Sequence, residues 1–196
     1  MKYVIKAPGR TGAHLIADFI RRAPGMQFEY IENNTDNDWI DTVDNSVLFD
    51  HSMASPSDPS EYTLVISKRR NKRLHLLSQL VAGITNKYRS KADKPKEPVD
   101  QSYLPHLRVL AKFLKARLDY ISTLKELPWA KVHEVYFEDF LTNPNVLCTI
   151  VDYEHKPDWH HMDNEKAISY KDVFANPQEI MFLARYICNE EYLQDE

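Results

Sequence analysis

The chain has few of the features that mark exported or membrane-bound proteins. Only two of its 196 residues are cysteine, Cys148 and Cys188, and neither belongs to a Cys-x-x-Cys pair. This argues against a disulfide framework and a zinc knuckle, and it predicts a reducing, cytoplasmic location. No apolar run approaches the ~18 residues of a membrane-spanning helix, and the first residues resemble a strand rather than a signal peptide. We therefore expect no membrane partner.

Charge of one sign is missing from two neighbouring stretches. Residues 29–61 contain nine acids and no Lys or Arg, whereas residues 62–92 contain eight Lys or Arg and no acid. The net charge of −4 conceals this contrast. The basic stretch could face an anionic ligand, and two oppositely charged solvated faces would give the same pattern.

Internal repeats and low-complexity tracts are also absent, and the hydrophobic content of 43% is enough for one buried core. We therefore expect a single domain over residues 1–196. Short β-branched runs alternate with segments of helical apolar spacing, which predicts an α/β fold of three layers, with a mainly parallel central sheet and helices on both faces. The expected strands are residues 2–6, 27–31, 46–50, 61–67 and 131–136, and the expected helices are residues 13–22, 72–88, 102–127, 137–141 and 177–193.

A first candidate anion site is the turn Gly9-Arg10-Thr11-Gly12, which lies between an expected strand and an expected helix. Glycines allow consecutive backbone N–H groups to face an anion, and the helix N-terminus adds a partial positive charge. The turn is not a Walker A loop, because Gly12 is followed by Ala13 and His14 instead of Lys-Ser/Thr. Tight glycine turns of this kind also occur for structural reasons alone.

A second candidate site combines Arg70 with Ser78, eight positions later. Arg70 is expected at the carboxyl end of the strand at residues 61–67, the edge where open α/β sheets bind ligands. Ser78 is a polar residue in an otherwise apolar part of the next helix, so its hydroxyl could bond a group that Arg70 holds. The alternative is a surface arginine and a serine that bonds only to its own helix.

In order and spacing, Arg10-Thr11-Gly12 and Arg70 with Ser78 resemble the sulfotransferase family, P-loop-type proteins that use 3′-phosphoadenosine 5′-phosphosulfate. The resemblance extends to the segment Val135-Tyr136-Phe137-Glu138-Asp139-Phe140 and to Asn143-Pro144. It covers residues 2–144.

This resemblance implies a P-loop NTPase-like fold and a cofactor, 3′-phosphoadenosine 5′-phosphosulfate, bound at both segments. Residues 9–14 would hold the 5′-phosphosulfate, and Arg70 and Ser78 the 3′-phosphate. The acceptor would be a hydroxyl or amine of a small molecule, sugar or peptide, and no metal is expected. Family members usually have hydroxyl residues where this chain has Ala13 and His14, so His14 either contacts phosphate or caps the helix.

Sulfuryl transfer needs positive charge at the leaving phosphate and a base at the acceptor. Arg10 suits the first role, because a guanidinium holds charge but is a poor proton donor. The resemblance places the family's catalytic histidine at His51, and an imidazole titrates near neutrality. The alternatives are a surface loop histidine and a histidine that bonds Asp50 or the Ser52 hydroxyl.

Two other functions remain open: a non-catalytic nucleotide- or anion-binding protein with the same fold, and a P-loop phosphotransferase, which the missing Lys after Gly12 disfavours. Asp158, His160, His161 and Asp163 lack zinc spacing, so a solvated loop is expected there. Residues 68–73 are basic but lack interleaved aromatics, so nucleic acid is not expected as a partner. Residues 91–100 are expected to form a loop or a lid over the acceptor.

Overall fold

The computed structural model describes residues 1–23, 28–33, 38–39, 41–85, 96–151 and 169–195. The chain divides into two compact units. The first consists of Met1–Arg70 and Arg117–Pro157, and the second of Asn71–Ala116 and Asp158–Glu196. Loop residues 7–12, His51 and Arg70 belong to the first unit, and Ser78 belongs to the second.

The first unit contains a parallel five-stranded sheet, which confirms the expected α/β class. The order of the strands across the sheet is β2-β3-β1-β4-β5. They are β1 (Lys2–Lys6), β2 (Glu29–Asn33), β3 (Ser46–Asp50), β4 (Tyr62–Lys68) and β5 (Lys131–Tyr136). β2 runs two residues beyond the predicted end at residue 31, because the carbonyl of Asn33 accepts the N–H of His51 at 2.9 Å and continues the pairing with β3.

Helical segments of the first unit pack on both faces of this sheet. Strand residues Val4, Leu48 and Leu64 share one face, where Ile121 and Leu124 of helix α3 (Tyr103–Leu124) complete a buried cluster. Helix α1 (Ala13–Arg21) contacts β1, β2 and β3 and lies on the other face. Alternate strand residues point to opposite faces, so each strand contributes to both apolar layers.

After β5 the first unit ends in two short helices, α4 (Phe137–Thr142) and α5 (Cys148–Val151), joined by a 3₁₀ turn at Pro144–Leu147. The turn of helix expected at residues 137–141 is therefore present. α4 begins directly after Tyr136, the last residue of β5. This places Phe137, Glu138 and Asp139 at the carboxyl end of the sheet.

The second unit is helical in its described part. It contains α2 (Lys72–Thr85), the first half of α3, α6 (Tyr170–Val173) and α7 (Pro177–Glu190), and α2 packs against α6 and α7. The side chain of Asp195 accepts the backbone N–H of Lys72 at 2.7 Å and forms an ion pair with Arg73. No helix in the described ranges is long and apolar enough to cross a membrane.

Candidate functional site

The loop between β1 and α1 lies at a topological switch point of the sheet. The chain leaves β1 toward β2 on one side, whereas it leaves the neighbouring strand β4 toward β5 on the other. In parallel α/β sheets, ligands bind outside the carboxyl ends of two strands whose connections diverge in this way. Loop residues 7–12 follow β1 and Arg69 and Arg70 follow β4, so the glycine turn and Arg70 both lie at this position.

The backbone of the loop is held in a conformation that glycine favours. Gly9, Arg10 and Gly12 have φ values of 83°, 56° and 74°. Gly12 is the N-cap of α1 and provides no side-chain hydrogen bond to it. The positive end of the α1 dipole is therefore not neutralised by a capping carboxylate or hydroxyl at this position.

Gly12 is enclosed by two aromatic rings of α4. A Cβ atom on Gly12 would lie 2.6 Å from Cζ of Phe140 and 2.8 Å from Cδ2 of Phe137. The hydroxyl of Ser67 on β4 donates to the carbonyl of Thr11 at 2.7 Å and links the loop to the neighbouring strand. Packing and hydrogen bonding thus fix the loop from two sides.

The side chain of Thr11 is fully buried within this loop. Among the residues that the structure describes, its hydroxyl has no hydrogen-bond partner. A buried hydroxyl without a partner is unfavourable by about 1–3 kcal/mol.

Arg69 lies against Phe137, one of the two aromatic rings that enclose Gly12. Its guanidinium carbon is 4.1 Å from the ring centroid of Phe137. Burial lowers the pKa of Arg69 to about 10; the charge of Glu138 opposes this change and the nearby charge of Arg10 adds to it. Arg10 and Arg69 thus follow the carboxyl ends of β1 and β4, and the charge of one acts on the other.

Arg70 has a different environment from Arg69. Its guanidinium binds both carboxylate oxygens of Asp139, with Nη2–Oδ2 at 2.6 Å and Nε–Oδ1 at 3.4 Å. Its backbone N–H donates to Glu138 at 3.1 Å, and its guanidinium carbon is 3.9 Å from the ring centroid of Tyr136. The segment that carried part of the sequence resemblance, residues 135–140, thus surrounds the arginine that was expected to bind the 3′-phosphate.

His51 lies at the same edge of the sheet as the loop. In the parallel register Lys6, the last residue of β1, pairs with Asp50, the last residue of β3. The segments that follow these two strands therefore begin side by side. The imidazole Nε2 of His51 is 3.5 Å from Oε1 of Glu32, and its ring centroid is 4.2 Å from that of Phe49. Burial lowers the pKa of His51, and the Glu32 carboxylate opposes this effect.

A chain of polar contacts extends from Glu32 to the start of α1. The hydroxyl of Tyr30 donates to Oε2 of Glu32 at 3.2 Å and lies 3.1 Å from Nδ1 of His14. Since the Tyr30 proton is directed to the carboxylate, Nδ1 of His14 acts as the donor to the tyrosine oxygen. Both histidine rings contact Phe49, and His14 does so edge-on at 4.8 Å. Glu32 therefore connects the two histidines predicted as site residues.

A buried ion pair fixes the backbone next to His51. Nζ of Lys6 is 2.6 Å from Oδ2 of Asp50, with 2% and 0% of the two side chains exposed. The same ammonium donates to the carbonyls of Ser52 and Ala54 at 2.9 and 2.8 Å. Asp50 in turn accepts the hydroxyl of Ser52 at 3.0 Å. The segment that carries His51 is therefore attached to both β1 and β3.

Tyr30, Glu32, Arg69 and Phe137 were not predicted from the sequence as parts of the site. The alternation of β2 could have placed Tyr30 and Glu32 on one face. Only the register with β3, which aligns Glu32 with Phe49, shows that they reach the histidines. Arg69 lies among several bases in sequence, and only its contact with Phe137 distinguishes it.

The remaining predicted features belong to the second unit or lie outside the described residues. Ser78 is in α2 of the second unit. Asp158, His160, His161 and Asp163, together with residues 91–95, lie outside the described residues. Within the described ranges, no group of three His, Cys, Asp or Glu residues is placed to hold a metal ion.

A cavity of about 200 Å³ lined by polar residues, including Lys2, Asp41 and Glu61, lies at the opposite end of the sheet.

The arrangement provides two chemical functions at one edge of the sheet. The loop, Arg10 and Arg69 present positive charge and backbone donors, which suit a phosphate or another tetrahedral anion. His51 with Glu32 provides a neutral imidazole that can accept a proton.

Comparison of the chain with protein-family models, curated proteins and solved structures found no match.

Proposed function

We propose that the chain is a sulfotransferase-like enzyme with a P-loop NTPase-like arrangement of its sheet. It would use 3′-phosphoadenosine 5′-phosphosulfate as sulfuryl donor and a hydroxyl or amine as acceptor. The observation that carries the proposal is the placement of loop residues 7–12 and His51 after the adjacent strands β1 and β3. The proposed anion site and the proposed base would thus serve the two substrates, the sulfuryl donor and its acceptor, at one place.

The loop fits the 5′ end of such a donor. Its positive φ values are typical of turns whose backbone N–H groups face an anion, and the N-terminus of α1 adds a partial positive charge. The donor supplies a sulfuryl group bonded to a phosphate leaving group. Arg10 holds the negative charge that develops on the phosphate oxygen as the bond between sulfur and that oxygen breaks.

His51 accepts the acceptor's proton as the acceptor oxygen or nitrogen forms its bond to sulfur. Its lowered pKa keeps the imidazole neutral, and therefore basic, near pH 7. The Glu32 carboxylate at 3.5 Å favours the proton on Nε2, which leaves Nδ1 as the accepting nitrogen. Atoms and charge balance, since the acceptor's proton ends on His51 and the leaving electron pair on the phosphate.

In this proposal Arg70 and Ser78 bind the 3′-phosphate, as the resemblance implies. The Arg70–Asp139 pair is 43% exposed on both sides, and exposed ion pairs contribute only about 0–1 kcal/mol. A phosphate of higher charge can therefore replace Asp139 as the partner of Arg70. The second candidate is a non-catalytic nucleotide- or anion-binding protein with the same fold, which would use the loop and Arg70 for binding without His51 acting as a base.

Calorimetric titration of the full chain tests the binding part of the proposal. We expect adenosine 3′,5′-bisphosphate to bind with a micromolar Kd, and Arg10→Ala and Arg70→Ala each to weaken binding by about tenfold or more, because each removes a charge-assisted hydrogen bond. ATP with Mg²⁺ is the parallel ligand. Selective binding of ATP would reject both the sulfotransferase-like enzyme and the non-catalytic protein with the same fold, and would favour a phosphotransferase.

A screen of hydroxyl and amine acceptors with the sulfuryl donor tests catalysis. Turnover that is lost in His51→Ala, with bisphosphate binding retained, supports the proposed base. Full turnover in His51→Ala rejects it. Bisphosphate binding without turnover on any acceptor identifies the non-catalytic protein instead.

A further inference from the structure

We propose that Arg117 of helix α3 is a positioning residue of the candidate base, because it holds the backbone of His51 at the carboxyl end of β3. The two residues are 66 positions apart in the chain and both belong to the first unit. The inference rests on the proposed role of His51. It adds to the site a residue that the sequence resemblance does not include.

The first observation is that Arg117 is buried although it is charged. Only 8% of the residue is exposed, and its Nη1 donates to the backbone carbonyl of His51. A buried guanidinium is unfavourable unless hydrogen bonds and nearby charges compensate its loss of water. The bond to the His51 carbonyl is made where little water competes for either group, so it fixes the carbonyl more firmly than a surface contact would.

The segment that carries His51 is held by α3 at a second point. Tyr120, three residues after Arg117, donates to the carbonyl of Ala54 at 2.7 Å. Residues three apart in a helix lie on the same side of it. Nζ of Lys6 donates to the same Ala54 carbonyl at 2.8 Å, from β1. Arg117 therefore holds the residue with the imidazole, whereas Tyr120 and Lys6 hold the chain beyond it.

The charge of Arg117 also acts on the imidazole. Burial lowers the pKa of His51, and the charge of Arg117 adds to this effect. The carboxylates of Glu32 on β2 and Asp50 on β3 oppose it. A general base must be unprotonated at the working pH. The cation on α3 thus favours the reactive form of the imidazole, while the two carboxylates favour the protonated form.

NMR spectroscopy of the full chain tests the inference on His51 itself. We expect Arg117→Gln to raise the pKa of the imidazole, because a positive charge is removed. It should also weaken the nuclear Overhauser effects between the rings of His51 and Phe49, whose centroids are 4.2 Å apart. Arg117→Lys keeps the charge and should leave the pKa closer to that of the wild type. Arg108→Gln in the same helix breaks a pair with Glu190 and should change neither quantity.

The wild-type protein carries the test if Arg117→Gln does not fold. The guanidinium protons of Arg117 should then exchange slowly with solvent and show nuclear Overhauser effects to backbone protons of His51 or Ser52. Fast exchange without these effects would overturn the inference. Unchanged ring contacts of His51 in folded Arg117→Gln would do so as well, whatever the pKa, and so would equal effects in Arg108→Gln.

Kinetics separate this inference from the proposed function. We expect Arg117→Gln to lower kcat for sulfuryl transfer by about tenfold or more, with the Kd of adenosine 3′,5′-bisphosphate changed less than about twofold, because a displaced base affects the chemical step and not donor binding. The acid limb of the kcat profile should move to higher pH, since the base would protonate earlier. Absence of turnover, with His51 still displaced in Arg117→Gln, would refute the catalytic proposal alone.

Discussion

The ammonium of Lys6 and the carboxylate of Asp50 form an ion pair of 2.6 Å inside the first unit, at the ends of two adjacent strands. Lys6 also donates to two carbonyls of the segment after β3. One buried side chain of β1 therefore determines the path of the backbone that carries His51. The pair connects the interior of the sheet to the candidate active site.

Removal of one member of this pair should be strongly destabilising. We expect Lys6→Met to lower the free energy of unfolding by about 3–5 kcal/mol, because it leaves the Asp50 carboxylate buried without its cation. Urea denaturation measures the change. Glu61→Gln is the control, since it breaks the Lys2–Glu61 pair, whose glutamate is 56% exposed, and should cost less than about 1 kcal/mol. Equal losses in the two variants would contradict this interpretation.

The complementary variant Asp50→Asn should depend on pH. Burial lowers the pKa of Lys6 below 10.5, and Asp50 opposes that effect. In Asp50→Asn the folded protein therefore holds the Lys6 proton less tightly than the unfolded chain does. Its stability should rise with pH up to about 10.5, the unfolded pKa, more than that of the wild-type protein. A flat difference between the two proteins across this range would refute the expectation.

Substitution of Gly12 should disturb the loop more than substitution of Gly9. Both have positive φ, which costs about 1–2 kcal/mol for alanine, but only Gly12 has aromatic atoms within 3 Å of the new Cβ. We expect Gly12→Ala to cost about 2–4 kcal/mol and Gly9→Ala about 1–2 kcal/mol in thermal or urea unfolding. Gly83→Ala in α2, with nothing within 4 Å, should stabilise by up to about 1 kcal/mol. Similar losses of stability in the Gly9 and Gly12 variants would show that the rings of Phe137 and Phe140 move aside at little energetic cost.

The role of Glu32 can be measured on His51 itself. We expect Glu32→Gln to lower the pKa of His51 further, because the carboxylate stabilises the protonated imidazole. An NMR titration of the imidazole nitrogens gives this value. Tyr30→Phe is the control, since it removes the link to His14 and keeps the charge of Glu32, so the pKa of His51 should change less than in Glu32→Gln. An unchanged or raised pKa in Glu32→Gln would mean that Glu32 does not act on His51.

Asp139 should act as a competitor of an incoming phosphate. We expect Asp139→Asn to strengthen binding of adenosine 3′,5′-bisphosphate by about three- to tenfold, because the phosphate then does not have to displace the Asp139 carboxylate from the Arg70 guanidinium. Asp18→Asn removes a negative charge from α1, where Asp18 pairs with Arg21 and Arg22, and controls for net charge. Weaker binding in Asp139→Asn would instead identify Asp139 as the residue that positions Arg70.

The sequence allowed the sheet to be predicted better than the site. β-branched runs such as β4 and the apolar spacing of α1 depend on neighbours in the chain, so their positions could be read directly. Glu32 and Arg69 depend on strand register and on a ring contributed from α4, which sequence spacing does not contain. Likewise, Arg70 was correctly expected just after β4, but its contact with Asp139 joins residues far apart in the chain.

The hydrogen bond between the Ser67 hydroxyl and the Thr11 carbonyl has a kinetic consequence. A loop tied to the central strands loses its conformational freedom when the chain folds, not when a ligand arrives. The proposed anion association would then require no rearrangement of the loop, and its rate should depend on diffusional encounter and on ionic strength. In Ser67→Ala the packing of Phe137 and Phe140 around Gly12 remains, so only part of that entropy is lost at binding, and stopped-flow measurements should show slower association.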